Sequence, residues 1–403
     1  MHRIRSAQDS ARRVGYYAGI RRTRRQFVQT SVAGLAATFV APSLIHAAAA
    51  GQPDAVRNQT AEGVAPPRTI DWHNHWFPAR VVDILKKRTA PPRIQEGATG
   101  ELTFISGLDT LRQPLPLAPA FTDVEARLRH LDKVKVDHQV ISWPTTLGAD
   151  ALLTAEEAKP LWSAYNEDLS KLVKSHPDRF SGFAVLPTSD IPWAVVEFER
   201  SLTELGLIGA TLPVGAFQTL EGAKHLTPIF EVAQKHRSHI YLHTGPASPG
   251  IPGQRQLVST AGDAPGIRAN FETANTFAQA AITLTQTGFL DLYPDVTVQI
   301  AMMGGLTPFL ASWLQLRPAA PGEVDPIKLL RRVYLDASTS RSPGAIDFAV
   351  RTIGADRILF GSDFPIVTSD KVISAINGST LTAEEKKTVF VDNGQALLAK
   401  LRA

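Results

Sequence analysis

The stretch Thr69-Ile70-Asp71-Trp72-His73-Asn74-His75 decides the fold. It opens the first of eight short apolar runs, at 69–72, 139–142, 181–185, 209–212, 239–242, 297–300, 333–336 and 357–360. Amphipathic stretches separate them, a pattern shared by open doubly wound sheets and by closed barrels. The open sheet needs a glycine-rich phosphate turn after its first strand. Here Trp72-His73-Asn74-His75 stands in that place, without a glycine. Eight strand–helix units therefore predict one domain, a TIM-type (β/α)8 barrel.

Working outward, Thr122-x-x-Glu125 and Thr154-x-x-Glu157 fit helix capping boxes, and Pro192 and Pro228 fit first helical turns. Pro177 closes the long helical stretch ending at His176. Two connections exceed ordinary loop length, 89–121 and 244–266, and read either as loops over the mouth of the barrel or as a dimer contact or plain surface loops.

The chain of 403 residues carries a formal charge of +4, which would suit a nucleic-acid partner. Its distribution argues otherwise. Residues 1–49 hold eight arginines and one acid, Asp9, for a local net of +7, so the remaining 34 basic and 37 acidic residues sum to −3. Thr23-Arg24-Arg25-Gln26-Phe27-Val28 resembles a twin-arginine export motif, followed by an uncharged stretch and the small residues Ala47-Ala48-Ala49 of a cleavage site. The reading is an export signal over 1–49, a linker over 50–66 and the barrel over 67–403. It implies a periplasmic or otherwise exported protein with no stable membrane span after cleavage and no nucleic-acid partner. Twin-arginine export carries folded chains, often with a cofactor.

With no cysteine, disulfides, thiolate metal sites and thiol nucleophiles are excluded. Histidine and carboxylate remain as ligands. His73 and His75 lie two residues apart in extended chain, which points both imidazoles to one face. His243 stands directly after the fifth run and Asp363 follows the eighth, so all four reach the rim formed by the strands' C-terminal ends. Alone, the His-x-His pair also describes a surface pair, His243 a core histidine and Asp363 a helix cap. Together, three imidazoles and a carboxylate suit a divalent metal with a position open to water or substrate.

These residues resemble the amidohydrolase superfamily, in the branch of aminocarboxymuconate-semialdehyde decarboxylase and related aromatic-acid decarboxylases. The likeness runs from Thr69 to Leu398. It rests on Ile70-Asp71-Trp72-His73-Asn74-His75-Trp76-Phe77-Pro78, His176-Pro177-Asp178-Arg179-Phe180, Tyr293-Pro294-Asp295, Leu335-Asp336-Ala337-Ser338 and Phe360-Gly361-Ser362-Asp363-Phe364-Pro365. The resemblance implies that His73, His75, His243 and Asp363 are metal ligands, usually for zinc, that Asp363 also handles a proton in catalysis, and that the protein is a homodimer. At one position the chain departs. The branch ends its sixth strand in His-Gly-Gly, with the histidine as proton shuttle, whereas this chain reads Met302-Met303-Gly304-Gly305, putting Met303 in the histidine's place. A thioether moves no protons near neutral pH. His130, His138, His176, His225, His236 and His239 fall away from the strands' C-terminal ends and read as surface or core residues.

Three functions follow. The first is a metal-dependent enzyme acting on a small carboxylated or aromatic substrate, most like the non-oxidative decarboxylases. The second is a metal-dependent hydrolase of a lactone, ester or amide. The third is a non-catalytic metal- or ligand-binding protein in which Met303 marks lost chemistry. Arg80, Arg93 and Arg112 are candidate partners for a substrate carboxylate.

Overall fold

A computed structural model describes residues 68–403 apart from 109–112, 256–263, 317–318, 320 and 339–341. The signal and linker segments and Arg112 lie outside the described residues.

The eight expected strands form as Ile70–His75, His138–Ser142, Phe180–Gly182 continued by Ala184–Val185, Gly209–Pro213, His239–His243, Thr297–Ile300, Val333–Asp336 and Ile358–Leu359. Neighbours pair in parallel in this order. The third strand is broken at Phe183, whose backbone N–H donates to Ile141 O while its ring packs against Trp72 and His239. The ring of strands closes where Trp72 N donates to Phe360 O at 2.9 Å and His75 N to Phe364 O at 2.7 Å. Helices enclose the strands, whose residues are therefore buried on both faces, as a parallel sheet demands. The expected TIM-type barrel is the fold.

Local signals hold with one correction. Thr154 and Glu157 form the reciprocal capping box that starts helix Ala155–Ser175, and Pro192 and Pro228 sit in first turns. The helix over Val124–Val134 is capped by Asp123 instead of Thr122: its carboxylate accepts from Glu125 N and Ala126 N. A carboxylate there also complements the positive end of the helix dipole.

The first long connection is more than a loop. Arg93–Glu96, Leu102–Ile105 and Leu115–Pro116 form a small antiparallel sheet. Its inward residues Ile94 and Phe104 are buried, and Phe104 meets Phe77 just beyond the first barrel strand. At the opposite end of the barrel the final helix, Asn393–Arg402, acts as a stopper. Arg402 donates to Ser181 Oγ at 2.9 Å, and a side chain at Gly394 would come within 2.7 Å of Trp72 Nε1. Among the described residues no helix is long and apolar enough to cross a membrane.

Candidate metal centre

His73, His75, His243 and Asp363 converge as expected, each offering a ligand atom within 4.8 Å of the others, and all four are buried. The first and fifth strands deliver the histidines. Asp363 needs a sharper turn. Its φ of 67° is in the left-handed region, and both Ser362 N and Asp363 N donate to His73 O, which swings the carboxylate in over the first strand. Non-glycine residues seldom hold such a conformation unless their surroundings enforce it.

Hydrogen bonding settles which nitrogen of each imidazole is free. Thr145 Oγ donates its one hydrogen to Thr244 O at 2.7 Å, so at 3.1 Å from His243 Nδ1 it must accept. His75 Nδ1 faces the carbonyl of Ser142 at 3.4 Å and the Ser142 hydroxyl, whose hydrogen goes to Asn74 O. His73 Nδ1 lies 3.2 Å from Asp336 Oδ1. In each case Nδ1 carries the proton, and the Nε2 lone pair points inward. His243 Nε2 and His73 Nε2 are 3.1 Å apart, while Asp363 Oδ1 is 3.3 Å from His73 Nε2 and 3.1 Å from His75 Nε2. Lone pairs this close repel unless a proton or cation sits among them. The donor set fits a divalent cation.

Electrostatics agree. Burial opposes protonation of His73, but Asp336 and Asp363 outweigh it and lift its pKa to about 10. Burial pushes His75 down and His243 well down, leaving both neutral. Burial would raise the Asp363 carboxyl, yet the hydrogen bond and charge of protonated His73 beside it hold it well below its usual range. Without a metal, one proton on His73 takes the cation's place.

Asp336 is the functional residue that sequence reasoning missed. Besides His73 it accepts from Met302 N at 3.2 Å, Ser338 N at 3.1 Å and Gln299 Nε2 at 2.6 Å. Carboxylates in this position fix a ligating imidazole's orientation and raise its basicity. Beneath His75 lies a second unpredicted element, the fully buried Arg127. It donates to the carbonyls of His75 and Ala120, to Asn74 Oδ1 and to Gln139 Oε1. Gln139 passes the link on to Asp71, which also accepts from Ser362 N and Oγ. First, second and eighth strands are thereby tied directly under the ligands.

Other expectations are corrected. Arg80 is held by Asp168 and Glu167, and Arg93 hydrogen-bonds Gln95, so neither joins the centre. His130 lies nearer the rim than expected, stacked on Phe364 at 4.1 Å with Nε2 3.2 Å from Ser369 Oγ. The two methionines exchange places: Met303 is buried in the core, while Met302 carries its thioether to Thr244, beside His243. The residue nearest the expected shuttle position is Met302.

A family model described as amidohydrolase matches residues 70–400. The gamma-resorcylate decarboxylase of Polaromonas sp. is 26% identical over 288 residues, covering 68% of this chain and 86% of that protein. The 2-keto-4-carboxy-3-hexenedioate hydratase of Sphingobium sp. is 26% identical over 368 residues, covering 83% and 97%. A solved dihydroxybenzoic acid decarboxylase from Polaromonas sp., with manganese and 2-nitroresorcinol bound, has a TM-score of 0.60 at 23% identity and covers 84% of this chain and 98% of that one.

Proposed function

The chain belongs to the amidohydrolase family, and on that premise we propose that it is a metal-dependent, non-oxidative decarboxylase of a small aromatic carboxylate. The observation that carries the proposal is the set of three inward Nε2 lone pairs and one carboxylate, in a family whose relatives include the gamma-resorcylate decarboxylase. His73, His75, His243 and Asp363 would hold a divalent ion, whose chemistry when bound is to take anionic substrate oxygens and offset charge as carbon dioxide departs. The residues supply the rest. Asp336, Thr145 and the Ser142 carbonyl keep each imidazole in the ligating tautomer. The ring carbon that loses carbon dioxide must gain a proton, and Asp363, the ligand with a second oxygen, is our choice to carry it there: its ionised carboxylate first takes the proton from water or a substrate hydroxyl and then passes it to the carbon.

For the ion we propose zinc, since three imidazoles and one carboxylate match its preferences. The manganese in the solved relative is the competing choice. A second reading, addition of water across a hydrolysable or unsaturated bond, draws on the hydratase relative and on Met302 standing where a protonating imidazole is expected. We extend the proposal to export with cleavage near Ala49 and to a homodimer, checked by N-terminal sequencing of secreted material and by light scattering.

Two measurements test the function. Metal analysis of His243→Ala and Asp363→Asn should show lost occupancy, and full occupancy in both would refute the site. Incubation with aromatic acids and with lactones should release carbon dioxide from the former. Acid release without carbon dioxide would favour the second reading, and tight metal without turnover a binding protein.

A further inference from the structure

The chain has no cysteine and three methionines, Met1, Met302 and Met303. Among the described residues, sulfur chemistry is thus confined to the pair after the sixth strand. Its two members are not equivalent. Met303 is 7% exposed and packed in the core. Met302 is partly exposed, and Thr244 Oγ donates to its Sδ at 2.9 Å. Thr244 follows the ligand His243, and Met302 N donates to the Asp336 oxygen that holds His73.

The turn that presents Met302 is unusual for residues with side chains. Met302, Met303 and Gly304 have φ of 54°, 56° and 66°, positive values that residues with a side chain rarely adopt unless their surroundings enforce them. Any Cβ at Gly305 would lie 2.3 Å from Ala274 O. The thioether is thus held at the rim with a hydroxyl aimed at it. Sulfur is a weak acceptor for that hydroxyl, whereas a sulfoxide oxygen is a strong one.

We propose that Met302 is an oxidation site for hydrogen peroxide, and that its sulfoxide makes the rim between the fifth and sixth strands polar. A sulfur lone pair attacks one peroxide oxygen, the O–O bond breaks as the S–O bond forms, and the other oxygen leaves with a proton as water. The sulfur loses two electrons and the peroxide gains them. Thr244, already in place, donates to the new oxygen. The oxidation does not depend on the decarboxylase reading. Its consequence, weaker binding of an apolar aromatic ring beside the metal, does rest on it.

The test treats metal-loaded full-length protein with hydrogen peroxide and maps the peptide by fragmentation mass spectrometry. The expected shift is one added oxygen on Met302 with Met303 unchanged while folded, and oxidation of both in urea. Equal oxidation of the two in the folded state, or Met303 first, overturns the proposal. Salicylate binding then probes the consequence: peroxide should reduce it in the wild type and leave Met302→Leu unaffected, and equal losses in both overturn that half. If untreated protein binds no salicylate, the substrate reading fails, while the mass measurement still decides the oxidation.

Discussion

Each ligating imidazole depends on acceptors at its outer nitrogen, and this dependence makes small substitutions informative. Asp336→Asn offers His73 either an amide oxygen or an amide N–H, and the latter clashes with Nδ1–H. Thr145→Val removes the hydroxyl that accepts from the buried His243 Nδ1–H. Losing such a supporting partner typically lowers metal affinity about 10–100-fold. Calorimetric metal titration should show that loss in both variants and recovery in Thr145→Ser; wild-type affinity in Thr145→Val would mean that the hydroxyl does not orient the ring. The methionine pair gives a second contrast. Met302→His restores an imidazole at the rim, and turnover should rise, by up to the ~10²–10⁴ a general acid or base supplies. Met303→His instead buries the imidazole in the core and should lower the unfolding temperature without raising turnover. The ligands were legible in the sequence because strand ends are readable from apolar runs. Asp336 carries the same signal as Asp363, a carboxylate at a strand's end. Its role escaped notice because its partner, His73, is 263 positions away and no periodicity links them.

Among the elements, the connection after the second strand clips the site together. Gly245 leaves room for Thr145 O, which would lie 2.2 Å from a Cβ there, and Asp150 reaches two further connections by accepting from Thr188 N, Thr188 Oγ and Ser248 N. Burial raises the Asp150 carboxyl from its ordinary 3.8 to about 6, against the lowering effect of those hydrogen bonds. With the folded pKa above the unfolded one, the folded state binds the proton more tightly. Its stabilising contribution is full below 3.8 and is lost as pH rises through about 6. Asp150→Asn cannot ionise, so its stability relative to wild type should climb by ~3 kcal/mol across that window and stay level above it. Denaturant melts of both proteins at several pH values check this, and curves that run parallel would place the proton elsewhere. Elements themselves were mostly legible: β-branched and apolar runs between helix caps marked all eight strands. The small sheet at 93–116 was not, because its alternation, Arg93-Ile94-Gln95-Glu96 against Leu102-Thr103-Phe104-Ile105, is only four residues long on each side and sits among prolines and glycines.

At the scale of the molecule, the ligands come from the first, fifth and eighth strands, so a bound ion ties together parts of the barrel that the unfolded chain holds far apart. Bringing His73, His243 and Asp363 to one point requires closing loops of 170 and 120 residues, which leaves the unfolded chain without a comparable site. An ion that binds only the folded state stabilises it by about 2.7 kcal/mol when its free concentration is about a hundred times its dissociation constant. Removing it also returns the inward lone pairs to mutual repulsion, relieved by protonating His73. Chelation should therefore lower the unfolding temperature of the wild type, re-addition of zinc or manganese should restore it, and the size of the recovery should rank the two ions. Asp363→Asn, with its carboxylate gone, should melt at nearly the same temperature with and without chelator. If chelation leaves the wild-type transition unmoved, the four residues hold no ion that matters to the fold, and the barrel's closure rests on the backbone bonds between the first and eighth strands and on the Arg127, Gln139 and Asp71 network.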